Sequence, residues 1–187
     1  MAYGQVTLLR GINVGRAKRV AMAELRTILS DLGFREVRTL LNSGNIVFLA
    51  PDDDPGASAE RIEAAMISRL GVSARALVLS GSEFSTVMRE NTLEDVAENA
   101  SRLQVAFLAN PTDRSRLAPL MERSWGQEVL AVGSRAAYLW CPAGLTSSDL
   151  AQAVGKVLGD AVTIRTSNTV KKIEAALEPL VRPHRSR

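Results

Sequence analysis

Between positions 10 and 19 the chain reads RGINVGRAKR, a run that holds four cations, two glycines and an asparagine. Arginine offers a planar fork that matches oxyanions, and lysine a compact point charge. Glycine lets backbone N–H groups come close to a ligand. A second run, Ser43-Gly44-Asn45, adds neutral hydrogen-bonding groups. Together these residue types could hold a phosphate or a carboxylate. The candidate ligand-binding set is Arg10, Gly11, Asn13, Gly15, Lys18, Arg19, Ser43, Gly44 and Asn45. Loops are commonly polar, and turns need glycine for geometry alone, so type and spacing leave a structural use equally open. A secondary set, Arg165, Asn168, Thr169 and Lys171, stands at the start of the last helical segment. There Asn168 is also suited to cap the helix.

Other chemistries find less support. Zinc needs clustered ligands, and the chain has one histidine, His184, and one cysteine, Cys141. Asp52-Asp53-Asp54 lacks the alternating spacing of a calcium loop and reads as a solvated acidic loop. Cys141 has no base near it in sequence and reads as a packed thiol. No nucleophile elbow, phosphate-binding loop or dinucleotide fingerprint occurs. Lys18 or Glu24 could serve as a base, but neither has a partner spaced for catalysis, so no catalytic set is assigned. No cofactor and no metal is called for.

The elements that must position these residues come in a repeated order. A strand over Gly4–Leu9 leads through the 10–19 loop to a helix from Met22, with Leu25, Ile28, Leu29 and Leu32 at one-turn spacing and Gly33 as its stop. Strands at Val37–Leu41 and Ile46–Ala50 flank the turn residues Asn42–Asn45. A helix bearing Ile62, Met66 and Leu70 ends at Gly71, and Ala74–Leu79 is the fourth strand. Ser80 and Glu83 have capping-box spacing before a short helix. The order then recurs. Leu103–Ala109 is a strand, and Asn110-Pro111-Thr112 opens a helix with Leu117, Leu120 and Met121. Strands at Glu128–Val132 and Ala136–Trp140 follow, then a helix that starts with Thr146–Asp149 and stops at Gly159. A strand at Ala161–Arg165 and a helix at Asn168–Leu180 complete the pattern.

The expected fold is therefore α+β: two tandem ferredoxin-like βαββαβ halves, each with an extra C-terminal helix, and mostly antiparallel sheets. The halves are expected at 1–90 and 102–181, with a polar connector at 91–101 and a disordered tail at 182–187. The repeated order suggests duplication. Successive elements reverse direction. The end of the first strand, the 42–45 turn and the start of the first helix should thus share one edge, where free N–H groups add to the basic side chains. Ferredoxin-like sheets can also stack RNA bases on exposed aromatics. Tyr3 and Phe48, and Tyr138 and Trp140, are aromatics near the relevant strands, and core packing is the better use for them.

Hydrophobic residues make up 46% of the chain and charged residues 23%, an ordinary globular balance. No apolar run is long enough to span a membrane, no leader pattern opens the chain, and the single cysteine forms no internal disulfide. These features point to the cytoplasm and away from membrane partners. Net charge runs basic, acidic, basic along the chain. That suits an anionic partner, and equally an acidic middle lying against basic flanks.

The runs Leu8-Leu9-Arg10-Gly11-Ile12-Asn13-Val14-Gly15, Met22-Ala23-Glu24-Leu25 and Ser43-Gly44-Asn45-Ile46-Val47-Phe48 resemble the bacterial domain-of-unknown-function 1697 family. Leu32-Gly33-Phe34, Val37-Arg38-Thr39, Ala137-Tyr138-Leu139-Trp140, Thr163-Ile164-Arg165 and Asn168-Thr169-Val170 extend the likeness over most of the chain. Arg16 stands where the family usually has a second glycine. Thr166-Ser167 stands where it usually has Asn-Trp. The resemblance implies an α+β fold and cytoplasmic residence, with no assigned activity, and it is densest around the 10–19 edge. The function expected from the sequence is an anion-binding module for a nucleotide, a phosphometabolite or nucleic acid. A metal-independent enzyme acting on a small anionic substrate and a protein-interaction scaffold are the alternatives.

Overall fold

The computed structural model describes residues 2–13 and 19–181; Gly15, Lys18 and the expected tail at 182–187 lie outside the described residues. The described chain is α+β, with two four-stranded antiparallel sheets and six α-helices. It divides into two units. One joins the chain up to Phe84 with the stretch from Lys172 onward, and the other is Ser85–Lys171. No helix among the described residues is long and apolar enough to cross a membrane.

In the first unit β1 (Tyr3–Arg10), α1 (Met22–Asp31), β2 (Arg35–Leu40), β3 (Asn45–Ala50), α2 (Pro55–Leu70) and β4 (Arg75–Ser80) form a sheet of order β2-β3-β1-β4. One sheet face carries Leu9, Ile46, Phe48, Ala76 and Val78, which pack with Leu25, Ile28 and Leu29 of α1 and with Ile62 and Met66 of α2. Alternation along the strands and one-turn spacing on the helices bring these side chains together. The local signals that fix α2 are all in place. The Asp54 carboxylate accepts from Ala57 N at 3.0 Å, Pro55 opens the helix, and Gly71 closes it at φ 64°. Edge strand β2 is irregular: its register shifts between Arg35 and Arg38, and Glu36 has φ 52°. A bulge among charged residues discourages pairing with another chain.

α3 (Gly81–Arg89) follows β4 through the expected capping box. Glu83 N donates to Ser80 Oγ at 3.2 Å, and Ser80 N to Glu83 Oε2 at 2.9 Å. A Cβ on Gly4 or Gly81 would stand 2.6 or 2.5 Å from Val181 Cγ1, so the end of α6 (Ser167–Val181) sits tightly against the start of β1 and the end of β4.

In the second unit β5 (Leu103–Leu108), β6 (Val129–Val132), β7 (Ala136–Trp140) and β8 (Val162–Thr166) form a sheet of order β6-β7-β5-β8. α5 (Asp149–Leu158) packs Leu150, Ala151 and Val154 with Ala106, Leu108, Leu139 and Cys141. The helix expected after Asn110 is a 3-10 helix at Pro111–Leu117 followed by the single turn α4 (Ala118–Met121). Asn110 Oδ1 accepts from Thr112 N at 3.0 Å and sets a tight turn. The polar run Thr112–Arg116 has no apolar stripe to bury before Leu117, and Met121 is 55% exposed rather than packed in the core. The cap of α5 is Ser148 rather than Thr146: its Oγ accepts from Ala151 N at 2.9 Å. Glu128 Oε2 accepts from Leu150 N beside it, at 3.0 Å. α6 is capped by Thr166, whose Oγ1 accepts from Thr169 N at 3.3 Å; Asn168, the expected cap, is exposed within the first turn.

Phe48 and Tyr138 are fully buried. The Tyr138 hydroxyl donates to Val87 O at 2.6 Å, and burial with nearby Glu90 raises its pKa well above the usual phenol range. Neither ring is available to stack a base.

Candidate functional site

The end of β1 lies beside the start of β4, which puts Arg10 and Arg75 opposite each other in register. On the other side of β1, Leu8 is opposite Asn45, and Leu9 N donates to Gly44 O at 2.8 Å. The loop after β1 is tied to the neighbouring turn by Asn13. Its Nδ2 donates to Val20 O at 3.1 Å and to Asn42 O at 3.0 Å, and its Oδ1 accepts from Val20 N at 2.8 Å. Asn13, in the described part of that segment, therefore meets the turn at Asn42.

Several of the expected ligand-facing residues have structural work at this edge. Asn13 has φ 53°, a left-handed conformation that asparagine tolerates better than most residues. Asn45 is fully buried, and its Nδ2 donates to Leu40 O at 3.0 Å and to Ser43 Oγ at 2.9 Å. Gly44 is buried at φ 74°, and a Cβ there would stand 2.6 Å from Leu9 Cβ and 2.8 Å from Ile12 Cδ1. Facing outward are Gly11, Arg19 and Ser43, all exposed, with Arg10 half-buried. Gly11 has φ 85° and lies near Ser73 O.

Arg75 is the residue the sequence reading missed. Its place follows from the pairing register, in which the first residue of β4 stands opposite the last residue of β1. Its side chain is 77% exposed, and its Nη1 donates to Glu63 Oε2 at 3.3 Å. Glu63 is fixed by its other oxygen, which accepts from Ala76 N at 2.8 Å.

The secondary set is drawn into packing and capping. Lys171 pairs with Glu94, which also accepts from Ser167 Oγ at 3.1 Å and from Asn91 Nδ2 at 3.0 Å. Thr169 is bonded to the capping Thr166, their hydroxyl oxygens 3.0 Å apart. Arg165 donates to Ile164 O at 2.9 Å, and burial lowers its guanidinium to about 10, still charged at neutral pH.

The remaining candidates are committed as well. Glu24 Oε2 accepts from Ala21 N at 3.3 Å at the start of α1. A groove of about 300 Å³ between α1 and α2 is lined by Ala23, Glu24, Thr27, Ile28, Arg69 and Leu70; Arg69 there pairs with Asp31 at 2.5 Å. Cys141 is fully buried. Burial pushes its thiol up and Glu128 adds to this, while a hydrogen bond with Ser148 lowers it, for a net rise. Among the described residues no three His, Cys, Asp or Glu side chains gather to hold a metal.

Comparison with known proteins adds two findings. The family model described as "Protein of unknown function (DUF1697)" matches residues 3–138. The solved structure of the conserved bacterial protein SP0830 from Streptococcus pneumoniae is similar at 26% identity and a TM-score of 0.77, covering 95% of this chain and 99% of that one. No curated protein matches.

Proposed function

Because the chain belongs to the DUF1697 family, whose description names no activity, we propose its function from its own residues: the strand-end edge of the first unit binds a phosphate-bearing anion. The observation that carries this reading is the register of Arg10 and Arg75. Like charges directly opposite on antiparallel strands, with Cβ atoms about 5 Å apart, oppose pairing. Glu63 offsets part of the Arg75 charge, and an anion at this edge adds a further negative partner for the two guanidinium groups. Arg19, Ser43 and Gly11 are exposed and bring to this reading a charge, a hydroxyl and accessible backbone. Asn13, Gly44 and Asn45 act as the frame that holds the loop and turn, a narrower role than direct contact. Gly15 and Lys18 join the proposed site on sequence grounds. The secondary set contributes little to this reading, since Lys171 and Thr169 already have protein partners. The finer fold reading, two ferredoxin-like halves from one duplication, is supported by the same strand order recurring in both sheets.

The test is a thermal-shift and calorimetric titration with inorganic pyrophosphate and with ATP. Wild type is expected to gain stability with ligand, by roughly 2.7 kcal/mol at a hundredfold excess over Kd. The gain should shrink with added salt. The Arg10→Ala, Arg75→Ala double variant should lose most of it. Equal responses from wild type and double variant, or none from either, sink the proposal.

A further inference from the structure

We propose that β6 is a self-pairing edge: two copies of this chain join there, strand to strand, about a two-fold axis at Ala131. The strand reads Val-Leu-Ala-Val and ends its sheet, paired to β7 on one side only. Val129 stands opposite Trp140 and Ala131 opposite Tyr138, and Gly133 N donates to Ala136 O at 2.8 Å. In an antiparallel ladder hydrogen-bonded and non-hydrogen-bonded pairs alternate. Val129 and Ala131 therefore turn their backbone groups toward β7, and Leu130 and Val132 turn theirs away from the sheet.

The chain's own bonds limit that edge at both ends. Glu128 N donates to Trp125 O at 3.2 Å, and Ser134 N to Glu90 Oε2 at 2.7 Å. Between these engaged donors lie the outward N–H and C=O groups of Leu130 and Val132. A second β6, antiparallel and with Leu130 opposite Val132, satisfies all of them, each copy donating twice and accepting twice. Sliding the pairing by two residues either way calls on Glu128 N or Ser134 N, which are already taken. A longer extended peptide meets the same two obstacles, so the edge suits a strand as short as itself.

The side chains agree with this register. The axis falls at the small Ala131, where the two strands approach to about 4.5 Å between Cα atoms. Leu130 and Val132 pack with the core of the second unit, and across the axis each meets the other's counterpart. Val129, 39% exposed, comes opposite Gly133, and Glu128 opposite Ser134, so no like charges meet. Edge strand β2 carries a register shift among charged residues, a guard that the apolar and regular β6 lacks. Pairing of the same edge on both copies uses it up and stops at two.

The experiment is sedimentation equilibrium of the full chain from micromolar to millimolar concentration. Wild type should pass from monomer to dimer. Val132→Pro removes one outward donor from each copy and leaves the β7 ladder intact, so dissociation should become easier by about thirtyfold. Ala131→Lys and Ala131→Glu each set like charges opposite one another at the axis, and each should stay monomeric. An equimolar mixture of these two should form dimers again, which decides the matter even if Val132→Pro fails to fold. A wild type that stays monomeric throughout overturns the proposal. So does a dimer that all three substitutions leave intact, or a Lys–Glu mixture that remains monomeric.

Discussion

Asn13 Nδ2 donates to the carbonyl of Asn42 at 3.0 Å, linking the loop after β1 to the turn between β2 and β3. The same side chain closes its own loop by exchanging bonds with the Val20 backbone. One carboxamide thus fixes the spacing of the two segments that frame the strand-end edge. Asn13→Ala should lower stability by about 2 kcal/mol, because it leaves Val20 N–H and two carbonyls without that partner and puts alanine at a positive φ. Asn13→Gly should cost less, since it removes the bonds but not the backbone tolerance. Urea unfolding of the three chains gives the comparison.

Gly44 offers a second check on that frame. An added methyl would collide with Leu9 and Ile12 at 2.6 and 2.8 Å, in a backbone conformation that L-residues rarely adopt. Gly44→Ala is expected to destabilise by about 1–3 kcal/mol. A change below a few tenths in the same unfolding assay would mean that the turn has room to shift.

Glu94 gathers Asn91, Ser167 and Lys171 onto one carboxylate at the start of α6. Ser167 is 1% exposed, so its hydroxyl has little access to water if that acceptor is lost. Glu94→Ala should cost about 1–3 kcal/mol. Amide hydrogen exchange should quicken at the first turn of α6 and stay unchanged in α2. Unaltered exchange at Ser167–Lys171 would contradict this account.

The buried Cys141 thiol predicts a pH dependence. Its folded pKa is raised, so folding favours the protonated thiol. The associated stability is present in full below the unfolded thiol pKa of about 8.5 and is lost as pH climbs from there toward the higher folded value. The urea midpoint of wild type should fall over that range, and Cys141→Val should fall less. Native Cys141 should also react with iodoacetamide far more slowly than the unfolded chain. Rapid native alkylation would show the thiol to be accessible.

The sequence announced some features and hid others for identifiable reasons. α2 was legible from the one-turn spacing of Ile62, Met66 and Leu70 and from Gly71, a left-handed stop, while its start was hidden because the cap Asp54 and the opening Pro55 look the same in a loop. The crossover at Pro111–Met121 was not, because a helical spacing of Leu117, Leu120 and Met121 says nothing of the polar turns before them. The cap of α6 was misplaced by two residues. Thr166, Ser167 and Asn168 are all capping types, and only the bond to Thr169 N separates them. At the candidate site the limit is deeper. Asn13 and Asn45 have the groups a ligand would want, and a turn wants the same groups. Arg75 became visible only through pairing, since it lies far from Arg10 along the chain.

The partition of α6 has a consequence for how the chain is made. Residues from Lys172 onward belong to the first unit, where Leu177 and Val181 lie against Gly4. An N-terminal fragment cut anywhere before α6 therefore lacks a piece of its own half. During synthesis the first unit stays unfinished until the last helix has left the ribosome, and chains stalled ahead of that point should remain open to protease at β1.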